Sequence, residues 1–315
     1  MLKRLAKANM VPLYLEDYNT DNKDRSHEEF QYLNLIHDVL QEGTVEHSRN
    51  GITKSIFGSA MIFSLSGGVI PILTTKRTAW KTCIRELLWF IRGDTNNAHL
   101  QAEGVHIWDD NGSRKFLDSR NLLNNKEGDL GPVYGHQWRH FNAEYDNCDS
   151  DYNGKGIDQL AQIIESLKNP ATRTSRRMIM SAWNPCQLDE MALPPCHILC
   201  QFNVTDGNKL SCSLYQRSGD IGLGVPFNIT SYATLTHLLA KHCDLEAHEF
   251  VYFLGNAHIY QDHIEPLKEQ LTRDPYDFPT IDICMKRENI NNYTIDDFKV
   301  KDYKFHESIK MKMIA

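Results

Sequence analysis

The chain has 315 residues, 41% of them hydrophobic and 24% charged, with a formal net charge of −7. That suits one large domain or two ordinary ones with ample material for a core, and it excludes a disordered composition. The negative balance argues against a whole-chain electrostatic grip on nucleic acid or anionic membrane, so an anionic ligand must be held by local arginines.

Residues 1–27 read as a loose N-terminal arm; Met1 to Lys7 is briefly basic, but Glu16, Asp17, Asp21 and Asp24 follow, unlike a mitochondrial presequence. Residues 28–42 predict a helix with the apolar stripe Phe30, Leu33, Ile36 and Leu40, capped at Gly43. A strand is expected over 55–65, a helix over 80–92 ended by Gly93, and a helix over 157–167 stopped by Pro170. Strand-like runs cover 178–183, 197–204, 210–216 and 250–254, with further helices at 227–243 and 260–271. Thr205-Asp-Gly-Asn208 joins two of these strands as a hairpin turn, so the sheet is not purely parallel and the class is α+β, or loosely mixed α/β. Two polar stretches, 111–128 and 142–156, read as surface insertions. No apolar run approaches membrane-spanning length.

The eight cysteines include no Cys-x-x-Cys pair and no secretory signal precedes them, which predicts reduced thiols in a cytosol-like compartment. Cys196 stands apart. Pro194 and Pro195 fix the backbone before it, and a cation such as Arg217 would lower its pKa if the hairpin joined the strand ends. Alone, a cysteine beside a histidine is more often structural. Arg217-Ser218 and the pair Arg176-Arg177 suit an oxyanion, with ordinary surface pairing as the plainer reading of each. Asn228 in an apolar segment needs partners for its amide, in the core or on a ligand. Glu86 precedes Leu87, Leu88, Trp89 and Phe90, so its carboxylate is either desolvated with a raised pKa or paired with a neighbouring arginine. His258 and Tyr260, two apart on a strand end, share a side, while a metal site at His258 and His263 lacks a third ligand at a recognisable spacing.

Ala192-Leu-Pro-Pro-Cys-His-Ile198, Tyr215-Gln-Arg-Ser-Gly-Asp220 and Val225-Pro-Phe-Asn-Ile-Thr-Ser231 carry a resemblance to the thymidylate synthase family, which runs from about Glu28 to Ala315. The resemblance implies a three-layer α+β fold in which a mixed sheet is packed by helices and dimerises through the sheet, with 28–315 as one catalytic domain. It implies reductive methylation of dUMP to dTMP, with 5,10-methylenetetrahydrofolate giving carbon and hydride and no metal. Cys196 would be the nucleophile, with Glu86, Tyr134 and His197 in the catalytic set. Arg49, Gln216, Arg217, Ser218, Asn228, His258 and Tyr260 would bind dUMP, joined by Arg176 and Arg177 from the partner of an obligate homodimer. Trp108, Asp220 and the C-terminal Ala315 would meet the folate. An Asn at 228 favours uracil over cytosine, which presents the opposite donor–acceptor pattern. Only about 27 residues precede the match, so a monofunctional form is expected, cytoplasmic, with a nuclear or mitochondrial pool left open. The alternatives are a dUMP hydroxymethylase, which ends with water instead of hydride, and an RNA-binding or non-catalytic relative; the acidic balance disfavours RNA binding, and the intact nucleophile and ligand set disfavour a non-catalytic relative.

Four places depart from the family pattern. Arg49-Asn-Gly-Ile-Thr-Lys54 is shorter than usual, Asn256 stands where an aspartate is usual, Asn203 replaces a tyrosine, and Arg173-Thr-Ser175 looks inserted or shifted.

Overall fold

Six segments of the chain form the main sheet: β1 (Thr44–Ser48), β2 (Gly51–Ser64), β3 (Ile179–Ser181), β4 (His197–Thr205), β5 (Lys209–Asp220) and β6 (Glu246–Tyr260). The computed structural model describes residues 26–48 and 51–313; most of the expected N-terminal arm, Arg49 and Ala315 lie outside the described residues. The strand order is β1-β2-β6-β5-β4-β3, with β5 and β6 parallel and the other pairs antiparallel. The expected hairpin joins β4 to β5 through Asp206 (φ +49) and Gly207 (φ +83), the left-handed pair that a tight two-strand turn requires.

A parallel pair needs a crossover, and a long helix, Gly224–His242, supplies it between β5 and β6. In chain order the helices are α1 (Phe30–Glu42), α2 (Trp80–Ile91), α3 (Asn97–Ala102), α4 (Asp109–Gly112), α5 (Arg114–Ser119), α6 (Tyr134–His140), α7 (Gln159–Lys168), α8 (Gly224–His242) and α9 (Ile264–Gln270). Strand alternation turns Leu210, Cys212, Leu214 and Gln216 inward to meet α8, while α2 packs against α8 in turn. α8 is accordingly buried on nearly every side, as an apolar-all-round helix must be. The result is a sheet layer, a layer led by α8, and an outer layer containing α2. The opposite face of the sheet is open: Tyr215 and Phe253, partners in register, are 37% and 39% exposed.

Several expected boundaries change. The strand expected over 250–254 runs from Glu246 to Tyr260, because Gly255 does not break it. A Cβ there would lie 2.7 Å from the Arg217 carbonyl, so the glycine permits close approach of the two parallel strands. The helix expected from 260 begins only at Ile264, after a short 3-10 turn. The first helix starts at Phe30; Glu29 instead buries its carboxylate on the amides and hydroxyls of Thr74 and Thr75. The helix expected at 157–167 begins at Gln159, with Ile157 left in a bridge to Phe141. The stretch 111–128 is not a simple surface insertion, since it holds the end of α4 and all of α5, with Leu117 fully buried.

Candidate active site

Pro194 and Pro195 deliver Cys196 to the start of β4, where His197 pairs with Gln216 of β5. The next step of that pairing is a bond from the Arg217 N–H to the Cys196 carbonyl, 2.9 Å. The Arg217 guanidinium grips the same corner. Nε donates to the Pro195 carbonyl at 2.8 Å, Nη2 to the Pro194 carbonyl at 3.0 Å, and the group lies 5.5 Å over the Trp183 ring. The hairpin thus joins the two strand ends. The expected lowering of its pKa needs correction: burial dominates and pushes the Cys196 thiol up, while Arg217 pulls it down without prevailing. Cys196 is therefore a neutral thiol held beside a cation.

Tyr134, the first residue of α6, accepts a 2.8 Å hydrogen bond at its hydroxyl from the Cys196 N–H. Its ring stacks on His197 with centroids 4.0 Å apart and 16° between planes. His197 shares a 2.7 Å bond with the Tyr232 hydroxyl, and burial drops its pKa to about 3. It is neutral at physiological pH, which suits a rigid support for Tyr134 better than proton transfer. Gln216 has both ends of its amide engaged, donating to the Ser218 carbonyl at 2.8 Å and accepting from the Tyr252 hydroxyl at 2.6 Å. That arrangement suits positioning of the strand end more than contact with a ligand.

Glu86 is 9% exposed on α2, and its carboxylate accepts from Trp108 Nε1 at 2.7 Å. Desolvation lifts its pKa to about 7, against the opposing Trp108 bond. Its neighbour Arg85 pairs with Glu103 instead, at 3.8 Å. A carboxyl group that titrates near neutrality can take and return protons. Trp108 sits 6.1 Å from the Tyr134 ring, so the buried Glu86, Trp108 and Tyr134 and the half-buried Cys196 form one wall in successive contact.

The C-terminal ends of the parallel strands meet beside this wall. Ser218 pairs with Asn256, and Asp220 with His258. Open sheets with parallel strands bind ligands at such ends. Asn228, in the second turn of α8, is half-buried and not enclosed as its apolar neighbours suggest. Neither its amide nor the Ser218 hydroxyl has a hydrogen-bond partner among the described residues. His258 and Tyr260 stand edge to face, 5.2 Å apart, on the same side of β6. His258 Nδ1 shares a 3.1 Å bond with Asn256 Oδ1, so the unusual asparagine is what orients the histidine here. Asp220 Oδ1 accepts from the Gly222 N–H at 2.9 Å and lies 3.5 Å from His263 Nδ1.

The exposed Arg176 and Arg177 stand apart from all this. They precede Met178, whose carbonyl accepts from Phe202 of β4, six residues beyond Cys196. At the strand rise that is roughly 20 Å away. Arg49 and Ala315 lie outside the described residues.

Two residues at the site escaped the sequence reading. Lys76 is buried, donates from Nζ to the Gly222 carbonyl, and has its pKa lowered to about 8 by burial. Its signal in the sequence is slight, a lysine followed by Arg77 after the run Ile70-Pro-Ile-Leu-Thr-Thr75. His263 was weighed only as a metal ligand. Among the described residues no group of three or more His, Cys, Asp or Glu is placed to hold a metal ion, and no helix is long and apolar enough to cross a membrane.

The family model described as thymidylate synthase matches residues 30–315. The chain is 52% identical over 292 residues to the bifunctional dihydrofolate reductase-thymidylate synthase of Leishmania major, covering 92% of this chain and 56% of that protein. It is 52% identical over 308 residues to the probable thymidylate synthase of Schizosaccharomyces pombe, covering 93% and 48%. Against the thymidylate synthase of human herpesvirus 8 it is 52% identical over 288 residues, covering 91% and 84%. The chain spans about half the length of the first two of these relatives and most of the third.

Proposed function

The chain belongs to the thymidylate synthase family, and from that premise we propose that it converts dUMP to dTMP, with residues 28–315 as one catalytic domain. The observation that carries the proposal is the corner where Cys196 and Arg217 meet, next to Ser218, whose hydroxyl, like the Asn228 amide, has no hydrogen-bond partner among the described residues. Cys196 Sγ adds to carbon 6 of the uracil, and the electron pair moves toward carbon 5 and the ring carbonyl. Because the thiol is neutral beforehand, its proton passes to water as the Sγ–carbon bond forms, with Arg217 stabilising the negative charge that develops on the sulfur. Ser218, His258 and Tyr260 hold phosphate and sugar. The Asn228 amide reads the ring by accepting from its N–H and donating to its oxygen. Glu86 accepts and returns protons at near-neutral pH, and Tyr134 faces the nucleotide from above Cys196.

5,10-Methylenetetrahydrofolate supplies the one-carbon unit and the hydride when bound. The residues fit such a heteroaromatic ligand. Trp108 is anchored by its N–H on Glu86 beside the Tyr134 ring, and Asp220 keeps Oδ2 without a hydrogen bond among the described residues, ready for a ring N–H.

The distance of Arg176 and Arg177 from their own Cys196 supports a further part of the reading, a homodimer in which these arginines complete the partner's phosphate site. The open sheet face with Tyr215, Phe253, Phe57 and Ile179 offers the apolar surface for it. An inactive Arg177→Ala chain mixed with an inactive Cys196→Ala chain should then regain activity after subunit exchange, toward about a quarter of wild type at equal mixing. Heterodimers that form without regaining activity would refute shared sites.

The activity is tested with dUMP tritiated at carbon 5 and methylenetetrahydrofolate. The proposal expects tritium release and dihydrofolate in equal amounts. Tritium release without dihydrofolate would identify a hydroxymethylase, and neither signal with dUMP bound would overturn the proposal.

A further inference from the structure

His263 has a side chain with 0% exposure whose two ring nitrogens face two different segments of the chain. Nε2 shares a 2.7 Å hydrogen bond with the carbonyl of Lys312, near the C-terminus. Nδ1 lies 3.5 Å from Asp220 Oδ1 and has no hydrogen-bond partner among the described residues. The packing around it is tight. A Cβ at Gly222 would stand 2.6 Å from His263 Nδ1 and 3.1 Å from Met311 Sδ, so Gly222 is what lets the imidazole and the C-terminal segment share this space. A buried nitrogen without a partner is costly, and only the doubly protonated ring can donate to both the Lys312 carbonyl and the Asp220 carboxylate. The charged and titratable groups facing the ring are Asp220, Lys76, His258 and Tyr260, the last with its ring 5.7 Å away. Burial is the strongest single influence and opposes protonation. The nearby Asp220 carboxylate and the Lys312 carbonyl outweigh it, and Lys76 opposes them, so the ring titrates above its usual value.

We propose that His263 is a positioning residue that aims the Asp220 carboxylate for folate and is itself held by the Lys312 carbonyl, so that one imidazole bridges Asp220 and the backbone at Lys312. The inference rests on the reading of Asp220 as a folate ligand. His263 acts through Asp220: it aims the carboxylate and is itself held by the C-terminal segment at Lys312. The sign of the pH dependence follows. Below the raised pKa both donors are in place. As pH rises through it one donor is lost, and folate affinity falls while dUMP affinity does not.

The test uses the full chain with His263→Ala and His263→Gln. Glutamine keeps an amide donor near the position of Nε2 for the Lys312 carbonyl but cannot titrate. Four readouts are taken: the dUMP dissociation constant, the folate KM against kcat, the pH profile of kcat/KM for folate, and carboxypeptidase trimming in the presence of dUMP and methylenetetrahydrofolate. His263→Ala should raise the folate KM by about tenfold, leave dUMP binding unchanged and speed trimming. His263→Gln should restore resistance to trimming and remove the part of the alkaline decline in kcat/KM that wild type shows. A folded alanine variant with wild-type folate KM would overturn the proposal, as would equal losses toward dUMP and folate. If the alanine variant fails to fold, an unaltered pH profile in the glutamine variant overturns it alone. A wild-type chain that releases no tritium is a separate failure, of the activity itself.

Discussion

The wall around Cys196 and the rim formed by Ser218 and Asn228 treat their polar groups in opposite ways. In the wall, Glu86 is bonded to Trp108, Tyr134 to the Cys196 amide, His197 to Tyr232, and Arg217 to two proline carbonyls. On the rim, the Ser218 hydroxyl and the Asn228 amide have no partner among the described residues. Groups held by the protein are preorganised and reorganise little during a reaction, which is where electrostatic catalysis is strongest. Groups left without partners can exchange water for a ligand, which is where recognition lies. Changes in the wall should therefore act on turnover, and changes on the rim should act on binding and selectivity.

The largest expected break is Cys196→Ser, which should cut turnover by roughly a thousandfold or more, because the alcohol is a far weaker nucleophile at neutral pH. Near-normal turnover would remove Cys196 from the chemistry. Glu86→Gln comes next, with a loss of about a hundredfold in kcat and little change in dUMP binding. Stability should move the other way. The Glu86 pKa is raised to about 7 in the folded chain, so the folded state holds a proton that the unfolded chain releases at lower pH. The native protein thus loses stability as pH climbs from the ordinary carboxylate range to about 7 and levels off above it, by about 3 kcal/mol. Urea titrations at pH 5 and pH 8 should show that drop in wild type and a smaller one in Glu86→Gln; equal drops would place the burden on another group. The smallest of the three is on the rim. Asn228→Asp should erode the preference for dUMP over dCMP by about tenfold, as one mismatched hydrogen-bonding edge does. Unchanged discrimination in competition kinetics would leave the base to be read elsewhere.

Much of the frame was legible because local signals sufficed. The Asp206-Gly207 turn announced the β4–β5 hairpin, and the apolar run after Phe227 announced α8. The hairpin in turn made the meeting of Cys196 and Arg217 foreseeable. What stayed hidden depends on distant partners. Gly255 looks like a strand terminator in isolation, and only the neighbouring Arg217 backbone explains why β6 continues past it to Tyr260. Gln216 lies in the motif with Arg217, yet Tyr252 from another strand engages its amide. Asn228 sits among apolar residues, but the opening at the strand ends leaves it half-buried. His263 and Lys76 carry no motif signal that reveals their convergence on Gly222 from opposite ends of the chain.

Calorimetric titration of dUMP into the Cys196→Ser and Asn228→Ala variants, with turnover measured on the same preparations, tests the division between wall and rim most directly. The account predicts that Cys196→Ser binds dUMP nearly as wild type does while its turnover is lost, and that Asn228→Ala loses affinity by about tenfold or more. Loss of dUMP binding in Cys196→Ser, with Asn228→Ala binding unimpaired, would contradict it.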